Sequence, residues 1–216
     1  MPKSTVHRYL ATLQQLELAE RGDTDRFRLG PKVIELAGQF LANSDLRTES
    51  QGALDALAAQ TDETIHLAVP SGTEVVYIAK VESKHALRMY SYIGARLPMY
   101  CTALGKAILA FSAPERRRDI FAQPLSPRTP STITSRQAFE RELDAIRSQG
   151  YAIDDEENEP GIRCVGAPIS DYSQTVIAAL SVSGPGNRMD RKRCMELAPI
   201  VREAAQQISR RMGYAG

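Results

Sequence analysis

Cysteine is the first residue type in this sequence that could do chemistry, either as a nucleophilic thiolate or as a metal ligand. The 216-residue chain has three cysteines, Cys101, Cys164 and Cys194. They are odd in number, widely spaced and without a Cys-x-x-Cys pair, which argues against a disulfide framework and against a zinc ribbon. Cys164 within a strand and Cys194 on a helix are typical of small buried hydrophobic residues.

The three histidines, His7, His66 and His85, do not have metal-ligand spacing either. His66 alternates with Ile65 and Leu67 along a predicted strand, so its side chain should point to the other face of the sheet. We therefore expect His66 on the surface, and we expect neither a metal site nor a cofactor in this chain.

Four consecutive carboxylates occupy positions 154–157, and Glu159 follows them. An acidic run of this kind is typical of a solvated strand end. The alternative is that Asp154 accepts a hydrogen bond from a bound molecule, and the residues alone favour the solvated strand end.

The N-terminal segment combines short hydrogen-bond donors and positive charges on one face of a predicted helix. Pro2 suits the first helical position, and the helix should end near Leu18. Val6, Leu10 and Leu13 recur at i, i+4 and i+7 and form one apolar stripe. Side chains of the types that contact base edges and phosphates lie on the other face, at Lys3, Ser4, Thr5, His7, Arg8 and Thr12.

A hairpin is predicted directly after this helix. Residues 18–21 and 26–29 have the pattern of strands around a turn-rich segment at 22–25. This places Arg26 and Arg28 on one edge, as in the wing of a winged helix. The alternative is an amphipathic helix followed by a hairpin, which occurs in many α/β proteins.

Charge and composition set broad limits. Residues 1–30 carry five Lys and Arg against four Asp and Glu, and the whole chain has a net charge of +1, so any phosphate contact must be local. With 43% hydrophobic residues, the chain can bury one substantial core and a small second module. There is no apolar run of transmembrane length and no signal-type leader, so we expect a cytoplasmic protein without membrane contact.

The rest of the chain is predicted to be a linker helix followed by a mixed helix and sheet domain. Pro31 begins a helix that is apolar around much of its circumference, so we expect it to dimerise. Residues 43–45 should cap the next helix, and Thr102 and Ser135 should cap two later ones. Alternating patterns predict a mostly antiparallel sheet, with strands at 64–69, 74–81, 87–93, 151–154, 163–170 and 176–183.

Four motifs follow one another in order across nearly the whole chain. They are Pro2-Lys3-Ser4-Thr5-Val6-His7-Arg8, then Leu97-Pro98-Met99 with Cys101-Thr102-Ala103-Leu104-Gly105-Lys106-Ala107, then Gly150-Tyr151-Ala152-Ile153-Asp154-Asp155-Glu156-Glu157 with Gly161-Ile162-Arg163-Cys164, and finally Ala179-Leu180-Ser181-Val182-Ser183-Gly184-Pro185. Together they resemble the IclR family of bacterial transcription regulators. The resemblance implies an α+β chain with a winged helix-turn-helix, a linker helix and a GAF-like α/β effector domain.

The resemblance also implies a domain division and a set of partners. The division is residues 1–30 for a partial winged helix-turn-helix, 31–44 for the linker helix and 45–216 for the effector domain. The partners are operator DNA, a small organic effector that is often a carboxylate, and copies of the same chain in a homodimer or homotetramer. In the family two further helices precede the recognition helix, whereas Met1 lies at its start here, so we expect impaired operator binding. The expected DNA contacts are Lys3, Ser4, Thr5, His7, Arg8, Arg26 and Arg28.

Similarity to the ligand site of the family implies an effector cavity with nine lining residues. The amides of Ala103 and Leu104 at a helix start would form an anion site suited to a carboxylate. Ser181 and Ser183 would donate hydrogen bonds from one face of a strand, and Asp154 would accept from a ligand hydroxyl. The full set is Met89, Leu97, Ala103, Leu104, Asp154, Ile162, Cys164, Ser181 and Ser183.

Some of these residues also have purely structural interpretations. Ser181 and Ser183 could hydrogen-bond to the neighbouring backbone instead of to a ligand. Met89 and Leu97 would be core residues in most proteins.

Two other classes of function remain open. Some GAF-like domains are thiol-dependent reductases of small molecules, and Cys101 and Cys164 lie in motifs that border the expected cavity. No His or Lys adjoins either cysteine in sequence to lower a thiol pKa, although Arg163 adjoins Cys164. The other alternative is a purely structural dimerisation module, which would bind neither DNA nor a ligand.

Overall fold

The computed structural model describes residues 2–22, 26–36, 45–86, 91–122 and 124–215. The chain forms two compact units, Met1–Thr48 and Glu49–Gly216. The finer division at residues 30 and 44 stays a prediction.

The first unit contains a helix and an antiparallel hairpin. Helix α1 (Lys3–Gln15) follows Pro2, and strands β1 (Ala19–Arg21) and β2 (Phe27–Leu29) pair with each other. The predicted helix and hairpin are therefore both present. Residues 32–36 are helical, whereas 37–44, which hold most of the predicted linker helix, lie outside the described residues.

Helix α1 ends at Gln15 rather than near the predicted Leu18, because the chain reverses direction at Glu17, where φ is +56°. The hairpin then closes on this turn, since the Gly30 N–H donates to the carbonyl of Leu18 at 2.9 Å. Glycine is required at position 30, because a Cβ there would lie 2.1 Å from the carbonyl oxygen of Glu17.

The second unit is built on a six-stranded sheet. Its strands are β3 (Thr64–Ser71), β4 (Glu74–Val81), β5 (Arg96–Pro98), β6 (Ala152–Asp155), β7 (Ile162–Ser170) and β8 (Val176–Pro185). They are hydrogen-bonded in the order β5-β4-β3-β8-β7-β6, and every neighbouring pair is antiparallel. The predicted α+β fold with a mostly antiparallel sheet is confirmed.

The strand predicted at 87–93 is wrong in the part that the structure describes. Residues 91–93 are not in a strand, and 87–90 lie outside the described residues. The chain turns at Gly94, where φ is +90°, and the Gly94 N–H donates to the carbonyl of Tyr77 at 2.8 Å. Strand β5 therefore begins only after this turn.

Five further helices are α2 (Asp45–Thr61), α3 (Ala103–Phe111), α4 (Pro114–Ile120), α5 (Arg136–Gln149) and α6 (Arg191–Arg211). Helix α2 begins in the first unit and continues into the second, which contains the other four. The predicted caps Thr102 and Ser135 both accept a backbone N–H in the first turn of their helices, α3 and α5. The predicted cap at 43–45 falls partly outside the described residues. Gly150 ends α5 in the left-handed conformation, with φ at +82°.

The core forms where α3 packs on β7, β8 and α5, while α6 also packs on β7 and β8. Phe139, Leu143 and Ile146 of α5 are completely buried, and each contributes about 1.5–3 kcal/mol of burial energy. Consecutive residues of β7 and β8 are buried, so both faces of these strands are covered. Among the described residues, no helix combines the length and the apolar character needed to span a membrane.

Candidate functional site

A narrow recess lies beside the start of α3, β7, β8 and the loop that follows β6. Its space between atoms, including the mouth, is about 290 Å³, and little of this is wide enough for a water molecule. A ligand of several atoms must therefore widen it. The lining residues are Tyr77, Leu97, Thr102, Ala103, Leu104, Asp154, Asn158, Ile162, Cys164, Ser181 and Ser183.

The structure brings together all but one of the nine residues that the sequence assigned to an effector cavity. The exception is Met89, which lies outside the described residues. Three further lining residues, Tyr77, Thr102 and Asn158, were missed. Thr102 was recognisable only as a helix cap, and no local pattern indicates that Tyr77 of β4 lies beside residues more than seventy positions later in the chain.

The first turn of α3 lines the recess with Ala103 and Leu104. Thr102 ends the preceding extended segment, and its Oγ1 accepts the N–H of Gly105 at 3.1 Å. The first N–H groups of a helix have no acceptor inside the helix, and the helix dipole makes this end positive. The turn lies close to β7, because a Cβ at Gly166 would stand 3.0 Å from the carbonyl carbon of Ala103.

Strand register places the two serines beside this turn. Ser181 pairs with Gly166, and Ser183 pairs with Cys164. Residues two apart on a strand share one face, and the Oγ atoms of Ser181 and Ser183 lie 3.3 Å apart. The recess therefore holds two hydroxyl groups that can each donate or accept a hydrogen bond.

Asp154 is a buried carboxyl group rather than part of a solvated strand end. Its side chain is 3% exposed, and Oδ1 accepts the N–H of Glu157 at 2.8 Å and that of Asn158 at 3.4 Å. The expectation of a solvated strand end is wrong because the loop after β6 folds back over Asp154 of that strand, and Glu157 in the loop is buried as well. Burial, together with the negative charge of Glu157, raises the pKa of Asp154 to about 7.

His66 is completely buried, so the expectation of a surface position is wrong. Its ring stacks on that of Tyr77 with centroids 4.4 Å apart, and Nε2 lies 2.8 Å from the Oγ of Ser91. Alternation misleads here because residues 64–68 of β3 are all buried, so neither face of this strand meets solvent. Burial and the positive charge of Lys80 lower the pKa of His66 to about 3.

The cysteines are buried and protonated. Burial, assisted by the charge of Asp154, raises the pKa of Cys101 to about 12, and the same causes raise that of Cys164 well above its ordinary value. Cys194 is also completely buried. A thiol nucleophile needs a lowered pKa, so the surroundings of Cys101 and Cys164 are the opposite of those in a thiol enzyme.

A larger hollow lies between α2 and α6. It is an open groove of about 770 Å³, lined mainly by small and apolar side chains such as Ala53, Leu57 and Ile200. Its polar lining consists of Gln60, Glu203 and Gln207. Unlike the recess, it does not combine a helix start, hydroxyl groups and a buried carboxyl group, so it is the weaker candidate for a small-ligand site.

The polar face of α1 is accessible in the first unit. Lys3, Ser4, His7 and Arg8 are exposed, and Thr5 is half-buried. The wing residues Arg26 and Arg28 are exposed as well. The charge of Arg28 is less available to a phosphate group than its exposure suggests, because its Nε donates to Oε1 of Glu20 at 2.8 Å.

Comparison with known families decides the classification. The family model described as bacterial transcriptional regulator IclR, C-terminal, matches residues 38–210, and the model of the IclR helix-turn-helix domain matches residues 1–23. The chain belongs to the IclR family. It is thus a transcriptional regulator of that family, as the sequence motifs indicated.

Individual IclR relatives agree with this assignment. The chain is 40% identical to the HTH-type transcriptional regulator KdgR of Escherichia coli (strain K12), over 99% of this chain and 82% of the relative. It is 38% identical to the regulator XynR of the same organism, over 99% of this chain and 86% of the relative.

Solved IclR structures have the same fold. The crystal structure of IclR from Thermotoga maritima has a TM-score of 0.81 and 36% identity, covering 99% of this chain and 87% of that one. An IclR homologue from Microbacterium hydrocarbonoxydans was crystallised with 4-hydroxybenzoate. It has a TM-score of 0.82 and 28% identity, covering 98% of this chain and 86% of that one.

Proposed function

We propose that this regulator binds a small organic acid in the recess of its second unit and that this binding adjusts its affinity for operator DNA. The observation that carries the proposal is that the first turn of α3, two serines and a buried carboxyl group line one recess. A pocket that combines apolar walls with a few convergent polar groups is the usual form of a small-ligand site.

The recess suggests how such an acid would be oriented. Its carboxylate would accept hydrogen bonds from the amides of Ala103 and Leu104 at the positive end of α3. Ser181 and Ser183 would complete the hydrogen bonds to the acid, and Asp154 would accept from a hydroxyl group on it. Leu97, Leu104 and Ile162 would supply the apolar walls. The relative that was crystallised with 4-hydroxybenzoate, an acid with a hydroxyl group, is consistent with this ligand class.

DNA contacts are proposed for the polar face of α1 and for the wing. Lys3, Arg8 and Arg26 would contact phosphates, because their charges are exposed. Ser4, Thr5 and His7 would face base edges near the start of the helix. Arg28 would contribute less, because Glu20 already pairs with it.

A homodimer or homotetramer is proposed as the active form, on the strength of the apolar sequence at 31–44. Sedimentation at micromolar concentration tests this proposal, and a single monomeric species would contradict it.

The surroundings of the thiol groups fit a regulator without enzymatic activity better than they fit a reductase. Cys101 and Cys164 are buried, and their pKa values are raised. The relatives are likewise named as transcriptional regulators, and AllR of Escherichia coli (strain K12), at 30% identity, is named as a repressor.

Calorimetric titration with lactate, 4-hydroxybenzoate and their two amides tests the ligand class. We expect at least one acid to bind and its amide to bind much more weakly, because only the acid presents a full charge to the α3 amides. Thermal unfolding should shift upward with the concentration of the same acid. Equal binding of acid and amide, or a redox turnover lost in Cys101→Ser and Cys164→Ser, would contradict the proposal.

A further inference from the structure

Lys106 is a charged side chain with no exposed surface, on the helix whose first turn lines the recess. Its Nζ donates to Oε1 of Glu142 on α5 at 2.9 Å and also to Oε1 of Glu157. Burial opposes the charge, but Glu157 and Glu142 raise the pKa of Lys106, so it stays protonated. Apolar residues of similar volume often give a buried site equal or greater stability, so stability alone is a weak reason for this lysine.

The two glutamates have different surroundings. Glu142 is on the outer side of α5 with its side chain 31% exposed, whereas that of Glu157 is 6% exposed. Glu142 can therefore turn to water if Lys106 is removed. Glu157 cannot do so without moving its loop.

Glu157 belongs to the loop after β6, which carries the lining residue Asn158 and directly follows the strand that carries the lining residue Asp154. Its N–H donates to Oδ1 of Asp154, so the position of Glu157 and the orientation of the Asp154 carboxyl group are linked. From the other side, the hydroxyl of Thr132 donates to the Glu157 carbonyl at 2.7 Å. The ion pair with Lys106 thus ties this loop to α3.

We propose that Lys106 is a positioning residue of the recess, which holds the Asp154 carboxyl group at a fixed distance from the amides at the start of α3. Two groups at a fixed separation select a ligand whose own two groups match it. The recess would therefore prefer acids that carry a hydroxyl group over the same acids without one. This inference rests on the proposed function, since it assumes that the recess binds acids.

Matched pairs of acids test this selectivity. Lactate and propionate differ by one hydroxyl group, and so do 4-hydroxybenzoate and benzoate. For the wild-type protein, calorimetry should show a preference of about tenfold for the hydroxylated member of at least one pair, as expected for one net hydrogen bond to a charged or buried partner. In Lys106→Met the preference should disappear, so that both acids of the pair bind about equally. The affinity for the acid without the hydroxyl group should change little.

Two further variants separate positioning from folding. Lys106→Met combined with Glu157→Leu removes the unpaired buried carboxylate, so thermal unfolding should return towards the wild-type midpoint while the preference stays lost. Glu142→Gln is the matched control, because it removes the negative charge of the other partner of Lys106 without changing the loop. This variant should prefer the hydroxylated acid as strongly as the wild type does.

The outcomes distinguish the two proposals. If none of the four acids binds the wild-type protein, the proposed function and this inference both fail. If acids bind but the wild type shows no preference within either pair, or if the Lys106→Met and Glu157→Leu double variant keeps the wild-type preference, only the role of Lys106 is overturned.

Discussion

The hydroxyl oxygens of Ser181 and Ser183 lie 3.3 Å apart inside the recess, where each side chain is almost completely buried. A buried hydroxyl group without a partner is costly, and here each serine can satisfy the other. A bound carboxylate would therefore replace one weak mutual contact with stronger bonds to a charged group.

Removing both hydroxyls should weaken acid binding more than it weakens the fold. For Ser181→Ala combined with Ser183→Ala, we expect a loss of about 1–3 kcal/mol in the binding of lactate or 4-hydroxybenzoate, measured by calorimetry. Ser148→Ala, at an exposed position on α5, is the control and should bind like the wild type. Unchanged affinity in the double variant would remove the serines from the site.

Asp154 should make the stability of the protein depend on pH. Its pKa is raised from an ordinary 3.8 to about 7, so between these values the native protein keeps a proton that the unfolded chain releases. The contribution of Asp154 to the free energy of unfolding therefore falls as the pH rises through this window, by up to about 1.4 kcal/mol per pH unit.

Asp154→Asn should remove this dependence. Urea unfolding at pH 5 and pH 8 should show the variant gaining stability relative to the wild type at the higher pH. The comparison is made between these two proteins because His66, with its pKa lowered to about 3, acts with the opposite sign: its contribution to stability is lost as the pH falls below about 6.5. A constant difference between variant and wild type at both pH values would show that Asp154 titrates normally.

The thiols of Cys101 and Cys164 should react slowly in the folded protein. Because burial raises both pKa values, alkylation by iodoacetamide at pH 8 should be at least about a hundredfold slower than in urea. Mass spectrometry of peptides identifies which cysteine is labelled. Fast labelling of either residue in the native protein would revive the reductase hypothesis.

Replacing Arg8 should weaken DNA binding by reducing its electrostatic component. With DNA selected from a random pool, Arg8→Ala should lower the slope of log affinity against log salt by about one. Arg116→Ala in the second unit is the control and should leave the slope unchanged. An unaltered slope in Arg8→Ala would exclude a phosphate contact for this residue.

The two wing arginines should differ in their effects. Arg28 pairs with Glu20, so its charge is already partly neutralised in the protein without DNA. We expect Arg26→Ala to reduce affinity more than Arg28→Ala does, and Glu20→Gln to increase it. Fluorescence anisotropy across a salt series measures all three, and equal losses at both arginines would show that the pairing has no effect.

Local signals in the sequence predicted much of the fold. Thr102, Ser135 and Gly150 each act within one helix turn, so their capping roles were visible from neighbouring residues. The third strand of the second unit was misplaced because Gly94 turns the chain and shifts β5 towards Pro98. The alternation of hydrophobic residues does not indicate where the chain makes such a turn.

Less of the recess than of the fold could be predicted from the sequence. The family motifs indicated Asp154 and the two serines, but burial of Asp154 depends on a loop that folds back over the end of strand β6. His66 was misplaced for a related reason, since alternation identifies a surface only when one face of a strand meets water. The contact between His66 and Tyr77 depends on the register of β3 and β4, which no local pattern in the sequence reports.

Gly166 restricts which substitutions could change the ligand that this protein binds. Ala103, which lines the recess, rests directly on Gly166 of β7, where a Cβ would lie 3.0 Å from the carbonyl carbon of Ala103. Any larger residue at position 166 would displace the first turn of α3. Half-buried Leu97 and Ile162 have no such restriction, so new ligand sizes should arise through substitutions at these two positions while Gly166 stays constant.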